Sequence, residues 1–144
     1  MATRPPRPYV IKAVSAFHTL IYRLTRGRLG GRIDSLPILL LTTRGRKSGR
    51  RRTTPLVYLR DGEELVLIAS YGGRDEQPAW FWNLESNPQA QVQIGGRPIP
   101  MLARKATSDE RVILWPKVLQ LWPGYAKYQE RTSRTIPLII LSPA

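Results

Sequence analysis

Six cations crowd nine residues of this chain: Arg44, Arg46, Lys47, Arg50, Arg51 and Arg52, set around Gly45, Ser48 and Gly49. A guanidinium is a planar fork that grips phosphate or carboxylate through paired hydrogen bonds, Lys adds a point charge, and Gly lets a ligand approach the backbone. The run is therefore either a solvated charged turn or a place to hold an anion. Nucleic acid is one such anion, since phosphate binding needs only dense Lys and Arg. No interleaved aromatics or reader module accompany the run, however. It is not a Walker loop, which needs a Gly five residues before its Gly-Lys-Ser/Thr; here the order is Gly45-Arg46-Lys47-Ser48. A pocket for a phosphate-bearing small molecule is the reading we favour.

The aromatic residues are the second group with chemical potential. Trp80, Phe81 and Trp82 fall on one short predicted helix and cannot all face inward. Trp115, Trp122, Tyr125 and Tyr128 gather near the C-terminus. Core packing explains most such sets, but Trp122, Tyr125 and Tyr128 recur every three residues, which lets them share a helical face. That face suits a planar ring system and supplies a phenol as hydrogen-bond donor or acid. With no Cys, thiol nucleophiles, disulfides and cysteine-ligated metals fall away, and a reducing cytoplasm is compatible. His18 is the single histidine, no Gly-x-Ser-x-Gly elbow occurs, and no His/Asp/Glu group has metal spacing. If the protein is an enzyme, an organic cofactor carries the reaction and the chain supplies position and electrostatics.

The elements that must position these groups follow from periodicity and turn signals. At 144 residues the chain is one domain by length. Its net charge of +13 is lopsided: residues 1–53 hold thirteen Lys/Arg against Asp34 alone, while residues 54–144 hold ten against nine acids. No apolar run reaches the roughly 20 residues of a membrane span, and no signal peptide is assigned. Residues 1–8 are Pro- and Arg-rich and expected to be extended or disordered. Tyr9–Leu24 has helical periodicity and ends at Gly27 and Gly30-Gly31; this helix either caps the core or touches a membrane surface. Strands are expected at Pro37–Thr43, Leu56–Arg60, Leu65–Ser70, Ala90–Ile94, Ile99–Ala106 and Ile136–Leu141, with hairpin turns at Asp61-Gly62 and Gly95-Gly96. Helices are expected at Ala79–Ser86, from the Thr107/Glu110 capping box onward, and over Tyr125–Thr132, with Pro116 kinking or splitting the second. So many short strands in a small chain predict a mainly β protein with flanking helices (α+β), a closed or split antiparallel barrel. The expected division is an N-terminal extension and amphipathic helix over 1–35 and a cofactor-binding barrel domain over 36–144.

Four stretches, LLLTTRGRKSGRRRTTPLVYLRDGEELVLIASYGG, PAWFWNLESNP, QVQIGG and WPKVLQLWPGYAKYQERTSRTIPLIIL, occur in this order between residues 36 and 141. In them the chain closely resembles the deazaflavin (coenzyme F420)-dependent nitroreductases, the F420H2-dependent quinone reductase family. The resemblance implies a split β-barrel of the flavin-reductase/FMN-binding type. It also implies hydride transfer from reduced 8-hydroxy-5-deazaflavin to a quinone, nitroaromatic or activated enone. The coenzyme carries a phosphate and an oligoglutamate tail, a polyanion that suits the basic loop. By motif, the resemblance implies that Arg46, Lys47, Ser48, Arg52, Thr53, Thr54 and Pro55 hold its phosphate and tail. Ile68, Ala69, Ser70 and Tyr71 would run along the ring, and Ala79, Trp80, Phe81, Trp82 and Asn83 would close over it. Trp80, Trp122, Tyr125 and Tyr128 would meet the substrate, with Tyr125 also touching the cofactor and Tyr125, Ser70 and Tyr128 as catalytic candidates. Some relatives carry Lys where this chain has Tyr71. The family further implies a cytoplasmic protein with peripheral contact at the inner face of the membrane through residues 9–28. A nucleic-acid or anionic-lipid module without catalysis and an FMN-binding barrel are the alternatives.

Overall fold

A computed structural model describes residues 8–25, 27, 32–33 and 36–144, with side chains described from residue 15 onward apart from those at 24, 32 and 33. The Pro- and Arg-rich start, apart from Pro8, and the Gly30-Gly31 stop lie outside the described residues. Helix α1 (Pro8–Thr25) is followed by a two-residue strand β1 (Arg32–Ile33). Then come β2 (Leu36–Arg44), β3 (Arg51–Asp61), β4 (Glu64–Ile68), helix α2 (Ala79–Ser86), β5 (Gln89–Gln93) and β6 (Pro98–Lys105). Helices α3 (Ser108–Leu121) and α4 (Gly124–Glu130) precede the last strand, β7 (Leu138–Pro143).

Every pairing is antiparallel, in the order β1-β2-β3-β4-β7-β6-β5, and β2 also pairs with β5. That second pairing closes β2–β7 into a six-stranded barrel of the split type. Alternation along each strand sorts side chains into three layers. Leu39, Leu41, Leu65, Leu67, Val92 and Leu141 fill the interior, plugged by Trp80, Phe81 and Leu84 of α2. On one outer flank Val66, Ile68, Leu138 and Ile140 pack under α3 and α4 through Leu114, Val118 and Tyr125. On the other, Ile38 and Leu40 pack under Tyr22 of α1. Ile38–Leu41 is thus buried on both faces, as its unbroken apolar run predicts.

Two expectations need correction. The second strand begins at Arg51, not Leu56, so Arg51–Pro55 belong to a ladder in which Arg51 pairs with Arg44 and Pro55 with Leu40. The charge of this segment hides a strand pattern that only its partner β2 reveals. Pro116 does not split α3, which runs unbroken from Ser108 to Leu121. The carbonyl it leaves without a donor belongs to Val112, a residue 74% exposed, where solvent can take the place of the lost bond. The capping box is formed: Thr107 accepts from the Glu110 N–H at 3.2 Å and Glu110 accepts from the Thr107 N–H at 3.0 Å. The Arg104 guanidinium, at 2.7 Å, is the main reason the Glu110 carboxyl is pulled down to about 2.

Helix α1 docks by one buried tyrosine. The Tyr22 hydroxyl donates to Gln93 O at 3.1 Å and accepts from the Gly95 N–H at 3.0 Å, tying the helix to the β5–β6 turn. Gly27, at φ 81°, ends the helix and donates to Tyr22 O. Replacing Tyr22 with Phe keeps the packing but leaves both backbone groups unpaired. We expect a loss of about 1–3 kcal/mol in urea unfolding, with faster amide exchange at Gly95. An unchanged midpoint and unchanged exchange would show that the docking does not depend on this hydroxyl.

Candidate functional site

The β2–β3 loop is closed by its own backbone. Gly45 donates to Arg50 O at 2.7 Å and Gly49, at φ 70°, donates to Gly45 O at 2.8 Å. A Cβ on Gly45 would lie 2.9 Å from Ser48 Oγ and 3.2 Å from Arg50 O, so the close approach of Ser48 and Arg50 to this position depends on its being glycine. The loop is latched to α2 through Asn83. Its buried side chain accepts from the Arg46 N–H at 3.1 Å and donates to Thr43 Oγ1 at 3.0 Å. The Arg46 guanidinium lies 5.6 Å from the centre of the Trp82 ring, which is half-exposed. Among the described residues, Arg44, Arg46, Lys47, Arg50, Arg51 and Arg52 make no ion pair with any carboxylate.

Because Arg51–Pro55 is strand, neighbours point in opposite directions. Arg52 and Thr54 face the side of their partners Thr43 and Leu41, while Arg51, Thr53 and Pro55 face the side of Arg44, Thr42 and Leu40. The expected quartet Arg52, Thr53, Thr54 and Pro55 therefore does not present one surface. Trp80 and Phe81 are core residues, 6% and 4% exposed, and Ala69 is fully buried in the barrel interior. Ala79 and Trp82 are the exposed members of α2's aromatic turn.

Ser70 lies two residues beyond the end of β4 and opens a tight turn at Tyr71–Gly73. Tyr71 takes a left-handed conformation at φ 47°, uncommon for a bulky residue, followed by Gly72 at 63° and Gly73 at 78°. The segment that leads from α4 into β7 holds this turn in place. Arg134 donates to Ser70 O at 2.9 Å, Ala69 O at 3.1 Å, Arg74 O at 3.0 Å and Gln77 Oε1 at 2.9 Å. Arg131 donates to Gly72 O at 2.9 Å, and the Thr132 hydroxyl donates to Asp75 at 2.9 Å. A Cβ on Gly73 would sit 2.8 Å from Tyr128 O, so the turn meets α4 only because this residue is glycine. Ser70 and the tyrosines of α4 are in this way brought to one region from opposite ends of the sequence.

The rings of Trp122, Tyr125 and Tyr128 form a mutual edge-to-face triad with centres 5.0, 5.2 and 6.0 Å apart. The spacing of three thus does put them together. Gly124 makes room for the indole, since a Cβ there would come within 2.3 Å of it. Tyr125 is 5% exposed, and its hydroxyl has no hydrogen-bond partner among the described residues. Burial, and secondarily Tyr128, pushes its ionisation well above the ordinary phenol range, so it stays a neutral donor at physiological pH. The Ser70 hydroxyl likewise has no partner among the described residues. The donor set fits a long anionic coenzyme with an aromatic ring: uncompensated cations at one end, free hydroxyls beside an aromatic wall at the other.

Arg131, Arg134 and Gly124 carry no motif signal in the sequence. Arg134 looks in sequence like any surface cation of a polar loop, and Gly124 like a helix stop.

A family model described as F420H(2)-dependent quinone reductase matches residues 15–143. An F420H(2)-dependent quinone reductase of Mycobacterium tuberculosis is 37% identical over 134 residues, covering 87% of each chain. Among solved structures, an F420-H2 dependent reductase superposes with a TM-score of 0.68 at 37% identity, over 74% of this chain and 94% of that one. A heme storage protein from Vibrio cholerae, 15% identical with a TM-score of 0.56 over 88% of this chain and 87% of its own, shares the barrel alone.

Arg134→Met removes a cation that satisfies three carbonyls and one amide oxygen in the 69–77 turn. We expect a loss of about 2–4 kcal/mol in unfolding free energy, and no rescue by Lys, whose single ammonium cannot span four acceptors. Thermal and urea unfolding check this. A change within about 0.5 kcal/mol would mean that the clamp is dispensable.

Proposed function

The chain belongs to the F420H(2)-dependent quinone reductase family, and we propose that its β2–β3 loop grips the anionic part of the coenzyme while Ser70, Tyr125 and Tyr128 receive the ring and the acceptor. The protein is an oxidoreductase that takes its electrons from reduced coenzyme F420 and passes them to a quinone-type acceptor. The observation that carries the site assignment is the loop's charge: six cations with no carboxylate partner among the described residues, on a backbone fixed to α2 by Asn83. A surface hairpin with that charge gains most from binding a polyanion.

When bound, the reduced deazaflavin supplies the hydride. The chain's part is position and charge. Arg46, Lys47 and Ser48 would hold the phosphate, with Arg52 of the adjoining ladder beside them. The 70–73 turn, fixed by Arg131 and Arg134, sets the depth of the ring against Ser70. Tyr125, neutral and without a competing partner, donates to the acceptor oxygen and supports the negative charge that develops there. Trp122 and Tyr128 pack edge-on against the Tyr125 ring and keep its hydroxyl from swinging away.

Two variants divide these roles. Arg46→Glu with Lys47→Glu should weaken coenzyme binding by about tenfold or more while leaving the melting temperature unchanged, because both side chains are exposed and the latch uses the backbone of Arg46. Tyr125→Phe should lower turnover with menadione on the order of tenfold or more and leave coenzyme affinity near wild type. Equal loss of affinity and turnover in Tyr125→Phe, or normal binding by the charge-reversed loop, would overturn the assignment.

Helix α1 supports a peripheral membrane contact. It docks through Tyr22, yet Phe17 and Leu20 are 68% and 53% exposed, and none of the described helices is long and apolar enough to cross a membrane. Exposed apolar residues on a helix in the basic half of the chain fit an anionic lipid surface and its quinones. Phe17→Asp with Leu20→Asp should abolish co-sedimentation with anionic vesicles and spare turnover of a soluble quinone. Unchanged co-sedimentation would rule this helix face out as the contact.

A further inference from the structure

Arg131 touches both halves of the assigned site. It follows Tyr128 by three residues at the C-terminal end of α4, a spacing that puts the two side chains on one helical face. Its guanidinium lies over the Tyr128 ring, 5.0 Å from the centre, and one of its N–H groups donates to Gly72 O at 2.9 Å. Its stem runs along Gly73, where a Cβ would lie 2.9 Å from Arg131 Cδ and 3.0 Å from Arg131 Cβ. Arg134, by contrast, braces the turn itself, through Ala69, Ser70, Arg74 and Gln77.

Tyr128 in turn meets the rings of Trp122 and Tyr125 at 71° and 78°, with centres 5.2 and 6.0 Å away. A cation over the face of an aromatic ring attracts it along the ring normal. The bond to Gly72 fixes where that cation sits. One contact of Arg131 therefore refers the turn to the helix, and the other refers the helix to Tyr128 and, through it, to Tyr125. A guanidinium does both at once because its donors lie in its plane and its flat face is left for the ring. An ammonium is a point charge: it can reach a carbonyl but has no flat face to lay on a phenol.

We propose that Arg131 is a positioning residue for hydride transfer, setting the spacing between the turn that bears Ser70 and the tyrosines of α4. It acts through Tyr128, not on the coenzyme or the acceptor. The inference rests on the placing of the deazaflavin ring beside Ser70 and of the acceptor beside Tyr125 and Tyr128. Coenzyme affinity, which the β2–β3 loop governs in that reading, does not depend on Arg131. The transfer step does, because displacement of the reacting groups by about an ångström is enough to slow it strongly.

The test compares the wild type with Arg131→Lys, Tyr128→Leu and the double variant. Coenzyme affinity is read by fluorescence titration with the oxidised coenzyme, kcat and KM by turnover of the reduced coenzyme with menadione, and folding by urea unfolding. Arg131→Lys should lower kcat about tenfold while coenzyme Kd stays within about twofold of wild type. The double variant should be no slower than Tyr128→Leu alone, since the arginine acts through that ring. Arg131→Gln, which keeps an N–H for Gly72 but loses the charge, should behave like Arg131→Lys and serves if the lysine variant does not fold. A folded Arg131 variant with kcat within about twofold of wild type, losses that multiply in the double variant, or an equal loss of coenzyme affinity would each overturn the positioning role. Full turnover by Tyr125→Phe would instead remove the site assignment, and the positioning role with it.

Discussion

Strand β2 pairs on both of its edges, with β3 and with β5, and the rest of the structure depends on that double pairing. It closes the barrel, and it buries Ile38–Leu41 on both faces. It also fixes where the charge goes. Once Leu39 and Leu41 are committed to the interior, every residue of β3 opposite them has its face assigned, down to Arg44 against Arg51 at the open end. The basic hairpin is therefore a rigid extension of the core, and its cations project from a ladder to two defined sides.

The same logic explains how a small domain assembles a site from distant parts of the sequence. The 70–77 turn has few apolar residues of its own and contains a tyrosine in an unfavourable conformation. It is held by the guanidinium of Arg134, which bonds four acceptors from about 60 residues earlier in the sequence. Through that clamp the end of β4 and the aromatic face of α4 become one surface. Burial in that surface keeps Tyr125 protonated, the state in which it can donate.

Much of this was legible in the sequence. The apolar runs and hairpin turns carry a strong local signal, and they predict the barrel strands, the capping box and the close approach of Trp122, Tyr125 and Tyr128. What escaped was set by tertiary contacts. Arg51–Pro55 reads as loop because charge masks its alternation, and only pairing with β2 shows which of those residues share a face. Pro116 reads as a helix breaker because the sequence cannot show that the orphaned carbonyl belongs to an exposed residue, Val112. Arg134 and Gly124 carry no motif at all: one matters for carbonyls it reaches across the fold, the other for the indole that fills the space beside it.

The central claim is that one coenzyme spans from the β2–β3 loop to the hydroxyls of Ser70 and Tyr125. A crystal structure of the complex with the oxidised coenzyme tests it most directly. The phosphate is expected on the loop at Arg46–Ser48 and the deazaflavin ring alongside Ser70, with the Tyr125 hydroxyl facing the space above it. A ring bound elsewhere, or a phosphate remote from the loop, would contradict it.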